Sequence, residues 1–247
     1  MDIIKKYILL IIISMGLCNS EVNSLYDKGI NSYKNEKYSE AIIYFNKIID
    51  LNYESEEFYY NLGNAHYLDN NIPLAIWSYE NCLKLNPLND DVKFNLKLSN
   101  LNVKDRIAIP DPPLLLNIFR LMKSTLLPSE WIMLWTLLFF IVSIFFLIRT
   151  IYFINFLKYF ELFFCILILT LLLPGSFSIY DSYTISQGII LSSKISVFSA
   201  PSNSSTELFN IHEGLKVDIK ETDHDWVKIK LIDGKEGWIK SNQILDI

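Results

Sequence analysis

Residues 226–239 read Trp226-Val-Lys-Ile-Lys-Leu-Ile232, then Asp233-Gly234, then Lys235-Glu-Gly-Trp-Ile239. Apolar and polar residues alternate through the first run, the period of a half-buried strand. Val227, Ile229 and Leu231 therefore share one face. Asp-Gly supplies the positive φ angles of a type I′ turn, so the stretch predicts a β-hairpin. Earlier strands are expected near 194–199, 207–211 and 215–221. About sixty residues with five short strands, over 185–247, fit a small all-β barrel.

Ala200-Pro-Ser, Glu207-Leu-Phe, His212-Glu-Gly, Asp225-Trp-Val-Lys-Ile and Asp233-Gly-Lys-Glu-Gly-Trp-Ile carry a further signal, with Gly237-Trp238 its most characteristic pair. In these words the segment resembles the bacterial SH3 family. The resemblance implies an SH3-like barrel that binds cell-wall peptides or other proteins. The tyrosine-rich motif with which eukaryotic SH3 domains hold proline-rich helices is absent. Trp226 and Trp238 form the candidate ligand surface if they make an exposed aromatic platform. Tryptophans of this kind more often close the core, and that placement is expected here. His212-Glu213 reads as a strand end and turn closed by Gly214, because no nucleophile or second acid stands at a recognisable spacing.

Upstream, residues 22–104 repeat with a period of about 34. Gly29 matches Gly63, Tyr33 matches Tyr67, Ala41 matches Ala75, and Phe45 matches Tyr79. The second unit also carries Tyr59, Leu62, His66 and Pro87 at the expected offsets. This pattern resembles the tetratricopeptide repeat, a helix–turn–helix unit. Glycine and alanine let paired helices approach, while Phe45 and Tyr79 fill the space between units. Pro87 ends a helix, and a further helix over Asp90–Leu101 is expected to cap the stack. By repeat position, Tyr26, Ile30 and Tyr33 line a concave face in the first unit. Tyr60, Asn64 and Tyr67 line it in the second, and Phe94 extends it. Aromatic anchors of this kind suit protein binding.

Between these regions lie two apolar runs, Trp131–Ile148 and Leu162–Ile179, without a charged residue. At the helical rise each covers about 27 Å, close to a hydrocarbon core. Residues 130–180 are therefore read as two transmembrane helices. Their connection, 149–158, contains Arg149 and Lys158 and no acid, so it is placed in the cytoplasm. Both flanking regions then face the other way. Lys158 and Glu161 stand one helical turn apart and are expected to pair. Pro110-Asp-Pro-Pro113 is a stiff linker within 105–129. Leu114–Leu127 fits either an amphipathic helix on the membrane surface or a juxtamembrane helix packed on the spans.

The first twenty residues read as a signal peptide: Lys5-Lys6, an apolar core over Tyr7–Leu17, and small residues before a cut after Ser20. An uncleaved anchor and a lipidated Cys18 are the alternatives. The signal exports the repeat region, which agrees with the topology from loop charge. Cys18, Cys82 and Cys165 fall in three segments without a CxxC spacing, and the three histidines are scattered, so no metal or cofactor is expected.

The 247 residues carry 22 basic and 27 acidic side chains, a net charge of −5, with 51% apolar and 20% charged residues. The acidic balance without a basic block argues against nucleic-acid binding. The order of signal, two repeats, membrane hairpin and SH3-like domain resembles the BatE-like family of Bacteroides aerotolerance operon proteins. The tryptophan of the first repeat position is missing in both units. The resemblance implies an inner-membrane protein with both soluble domains in the periplasm. It also implies partnership with membrane proteins bearing von Willebrand A domains and, indirectly, with a MoxR-type ATPase. The expected function is a non-enzymatic scaffold that binds partners in its repeat groove, in an envelope complex tied to aerotolerance or stress. The alternative is a cell-wall module docking peptidoglycan through the barrel.

Overall fold

The computed structural model describes residues 20–105 and 113–247. The expected signal, apart from Ser20, and most of the Pro110–Pro113 linker lie outside them. The described residues divide into two bodies, 20–105 with 187–247, and 113–186.

In the first body, a helix through 20–34 (α1) is followed by α2 (Tyr38–Asp50), α3 (Glu56–Leu68), α4 (Ile72–Leu85) and α5 (Asp90–Asn100). Short turns make successive helices antiparallel neighbours. The α1–α2 and α3–α4 turns are built alike. Lys37 N–H donates to Ser32 O and Glu36 N–H to Tyr33 O; Asn71 N–H donates to His66 O and Asn70 N–H to Tyr67 O. Glu36 and Asn70 take φ of 59° and 60°. These are Schellman closures, which satisfy the last carbonyls of each helix. Side-chain packing recurs with the turn. A Cβ on Gly29 would lie 2.5 Å from Phe45 Cε1, and one on Gly63 would lie 2.6 Å from Tyr79 Cε1. A side chain at either glycine would collide with that ring. Ser55 and Asn89 cap α3 and α5 by accepting from Phe58 N–H and Val92 N–H, each cap contributing about 1 kcal/mol.

The rest of this body is a seven-stranded sheet in the order β3-β2-β6-β5-β4-β1-β7. The strands are β1 (Ser186–Ile190), β2 (Ile195–Phe198), β3 (Glu207–Ile211), β4 (Lys216–Asp223), β5 (Trp226–Lys230), β6 (Glu236–Lys240) and β7 (Ile244–Asp246). Five strands are expected from sequence; β1 and β7, which pair Gly188 with Asp246, are additional. Both are short and lack a long alternating run, so periodicity does not reveal them. Val227, Ile229 and Leu231 are buried, as alternation requires. The hairpin turn differs from expectation. Gly234 has φ +90°, whereas Asp233 does not have positive φ. Leu231 and Lys235 close a three-residue loop through Leu231 N–H to Lys235 O, and Gly234 N–H reaches Leu231 O. This is the longer hairpin loop with glycine in the left-handed position, not type I′.

Helices and sheet meet along one stripe of α4. Ile76 packs with Val103 and Ile189. Trp77 Nε1–H donates to Asp246 O at 2.6 Å, Lys84 Nζ donates to Ile247 O at 2.7 Å, and Glu80 pairs with Lys216 at 2.7 Å. The spacing of Ile76, Glu80 and Lys84 puts them on one helical face. At the end of the helical region Asp105 accepts from His212 N–H at 2.6 Å and meets His212 Nδ1 at 2.9 Å. Lys104 Nζ faces the other ring nitrogen at 2.9 Å. His212 is thus a clamp between helices and sheet.

The second body holds α6 (Leu114–Lys123), α7 (Pro128–Tyr152) and α8 (Leu157–Thr184). Both α7 and α8 are long and apolar enough to cross a membrane, with mean hydropathy 2.6 and 2.4. They pack closely where Trp131 and Trp135 cover Gly175. Glu161 pairs with Arg149 at 3.1 Å rather than with Lys158. Its partner therefore comes from the facing helix, while the Lys158 ammonium lies over the Tyr159 ring. Of the two readings for the segment after the linker, packing on the spans accounts for one face of α6: Phe119 meets Phe177 edge-on and Lys123 pairs with Asp181. Leu114, Leu115 and Leu121 of α6 are exposed.

Candidate functional site

Two surfaces of the first body have the chemistry of binding sites. The first is a cavity of about 140 Å³ among the helices, lined by Tyr33, Asn64, Tyr67, Leu68, Tyr79, Asn95 and Leu98. Asn64 Oδ1 accepts both the Tyr79 hydroxyl at 2.7 Å and Asn95 Nδ2–H at 2.9 Å. One carbonyl thereby ties α3, α4 and α5 together beneath the cavity. Burial pushes the Tyr79 phenol well above its ordinary range, so it stays a neutral donor. Tyr33, whose ring meets Tyr38 edge-on at 5.6 Å, is likewise raised by burial.

Tyr33, Asn64 and Tyr67 are thus brought together. Tyr26, Ile30 and Tyr60 lie half-buried against the helical core beside them. The Tyr26 hydroxyl accepts from Asn61 Nδ2–H at 2.7 Å, and burial followed by the Glu57 carboxylate raises its phenol. Phe94 is exposed and does not line the cavity. Asn95 and Leu98 are functional candidates that repeat matching misses, because they stand on the helix after the second unit. Their spacing of one turn was the available signal.

The second surface is the outer face of the sheet. Trp226 and Trp238 are half-buried there, not in the core. Strand parity decides this: each tryptophan alternates with a buried neighbour, Val227 or Ile239. Trp238 stands opposite Lys228 on one side and Phe198 on the other. Phe198 meets Trp226 edge-on at 5.7 Å, and the Lys240 ammonium lies 6.0 Å from the Trp226 ring centre. Gly237 explains the neighbouring position. A Cβ there would lie 2.5 Å from Val197 Cγ1 and 2.9 Å from Phe198 O, so glycine is what lets β2 lie this close to β6. Beside Trp226 opens a cavity of about 340 Å³ bordered by Asn203, Asp225, Lys240, Ser241 and Asn242. An aromatic face flanked by amides, a hydroxyl and both signs of charge can stack and hydrogen-bond a polar ligand.

This surface lies within one recognisable family. Residues 193–244 match the bacterial SH3 domain. No curated protein matches the chain. Phe198, Trp226, Trp238 and Lys240 all fall inside the SH3 match, so the aromatic platform is a feature of that domain's outer face. The cavity among the helices falls outside it.

Among the described residues no group of three or more His, Cys, Asp or Glu is placed to hold a metal ion. Cys82 is buried, its thiol donating to Glu56 O at 3.2 Å, and burial pushes it up to about 12. At neutral pH it is a packed thiol rather than a nucleophile.

Proposed function

We propose that this chain is a non-enzymatic scaffold, anchored in the bacterial inner membrane by α7 and α8, that captures an extended segment of a partner protein in the helical cavity. The convergence of Tyr33, Tyr67 and Leu98 from three helices on one opening supports this reading, and the tetratricopeptide-like recurrence of the α1–α2 and α3–α4 units agrees with it. In this reading both soluble regions are periplasmic and the loop near 149–158 is cytoplasmic. The partners implied by the BatE-like resemblance are membrane proteins with von Willebrand A domains, working with a MoxR-type ATPase in tolerance to oxygen or stress. The test is in-cell crosslinking of the C-terminally tagged full chain, purification in mild detergent and mass spectrometry. Tyr33→Ala with Leu98→Ala should abolish partner recovery while membrane insertion persists. Undiminished recovery would remove the cavity from the function.

A second reading has its own support in the SH3 match and the Phe198–Trp226–Trp238 platform: peptidoglycan binding by the outer face of the sheet. Sedimentation of the detergent-solubilised chain with purified peptidoglycan separates the two. Retention lost in Trp226→Ala favours the wall, and no retention favours the scaffold.

A further inference from the structure

The helical cavity does not end at Tyr67. The same ring borders a larger cleft of about 720 Å³, whose other walls include Asp69, Asn70, Asn71, Asn102 and Glu213. Glu213 comes from the sheet, in the turn between His212 and Gly214. The cleft is therefore composite: it exists because Asp105 and Val103 hold that turn against the helices. Its character is the reverse of the first cavity. Two carboxylates face it, and its remaining walls are mostly side-chain amides. Among the described residues neither Asp69 nor Glu213 belongs to an ion pair; Asp69 accepts only an uncharged hydroxyl, Ser39 Oγ–H at 2.7 Å. Lys216, two residues past Gly214, is committed to Glu80, and Lys104, which reaches the turn from the helical side, is committed to the His212 ring. Helix dipoles add to the same sign. Asp69 follows the carboxyl end of α3 and Asn102 that of α5, against one amino end from α4.

We infer that the cleft is the cationic subsite of the groove. It takes a lysine or arginine of an extended partner segment whose neighbouring apolar side chain enters the Tyr33–Tyr67–Leu98 cavity. This deepens the scaffold reading and rests on it. Charge complementarity commits the occupant: an acidic segment would meet two unpaired carboxylates, whereas a basic one would neutralise them without breaking an existing pair. Tyr67, shared by both cavities, sets the register between the two side chains. The inference also gives the sheet a role in specificity, since one of the two carboxylates comes from its turn.

The probes are short fluorescent peptides on a Gly/Ser background, each with one leucine and one lysine at varied separation, and matched peptides with glutamate for lysine. Fluorescence anisotropy is read on the full chain in detergent. The lysine peptides should bind about fivefold tighter than the glutamate ones at low salt, as expected for exposed charge pairs. The preference should fade as salt rises. Glu213→Gln and Asp69→Asn, both near-isosteric and exposed, should each reduce it, and together remove it. If both peptide sets bind equally and only Leu98→Ala weakens them, the groove stands and the cationic subsite falls. Failure of every peptide to bind overturns both. A lysine preference that survives the double variant places the recognition elsewhere. Calcium binding by calorimetry that is lost in Glu213→Gln, without a peptide preference, would make the cleft a cation site instead and overturn the assignment.

Discussion

Gly214 and Val103 touch where sheet and helices meet: a Cβ on Gly214 would lie 2.8 Å from Val103 Cγ2 and 3.3 Å from Ile76 Cδ1, and the glycine sits at φ +81°. Two independent constraints, backbone and space, therefore fall on one residue. Gly234 provides the control, with φ +90° and open space where a Cβ would stand. Gly234→Ala should cost about 1 kcal/mol from the left-handed conformation alone. Gly214→Ala should cost more, because the new methyl must also displace Val103. Denaturant unfolding of the two variants checks the order. Equal losses would mean that the interface yields freely.

Asn64 is both a lining residue and a structural tie, so its variants divide by chemistry. Asn64→Ala leaves the buried Tyr79 hydroxyl without its acceptor, a loss of about 1–3 kcal/mol. Tyr79→Phe removes donor and hydroxyl together and should cost about 1 kcal/mol. A double-mutant cycle on thermal unfolding should show strong coupling. Additive losses would deny the hydrogen bond its role. For partner capture, Tyr33 and Leu98 are the cleaner probes.

His66 gives the helical region a pH dependence. The ring is buried, its Nδ1 has no hydrogen-bond partner among the described residues, and burial lowers its pKa to about 4 against the opposing pull of the Asp69 carboxylate. The unfolded chain, with an ordinary histidine near 6.5, binds the proton more readily. The neutral ring's contribution is therefore complete above about pH 6.5 and is lost as pH falls toward 4. The loss is about 3 kcal/mol at about 1.4 kcal/mol per pH unit. Unfolding measured across this window should show that slope, and His66→Phe should flatten it. An unchanged slope would assign the effect to other groups.

Trp226 lies outside the core, so the sheet should survive its loss. Trp226→Ala removes the edge-to-face contact with Phe198, worth about 0.5–1.5 kcal/mol. Circular dichroism should keep the folded signature while any retention on peptidoglycan disappears. Val227→Ala, buried on the opposite face, should do the reverse and destabilise by about 2 kcal/mol.

The local pattern by itself determined the two long apolar helices and the face of β5 that carries Val227, Ile229 and Leu231. These follow from fixed backbone geometry, with a period of 3.6 or 2 residues and a rise per residue. The recurrence from Gly29 to Gly63 and from Phe45 to Tyr79 was legible because matching residues return at a fixed 34-residue spacing. The tryptophans were legible too: parity sends Trp226 and Trp238 outward, and their size misdirected the reading toward the core. What only the tertiary structure decided involves residues far apart in the chain. Trp77 reaches Asp246 across 169 positions, and Asp105 reaches His212 across 107. Glu161 finds Arg149 instead of its near neighbour, Asn64 serves α4 and α5 at once, and Glu213 closes a cleft begun by Asp69. No repeat period encodes such pairs, because they depend on how finished elements dock, and docking is set by the shape and charge of whole faces.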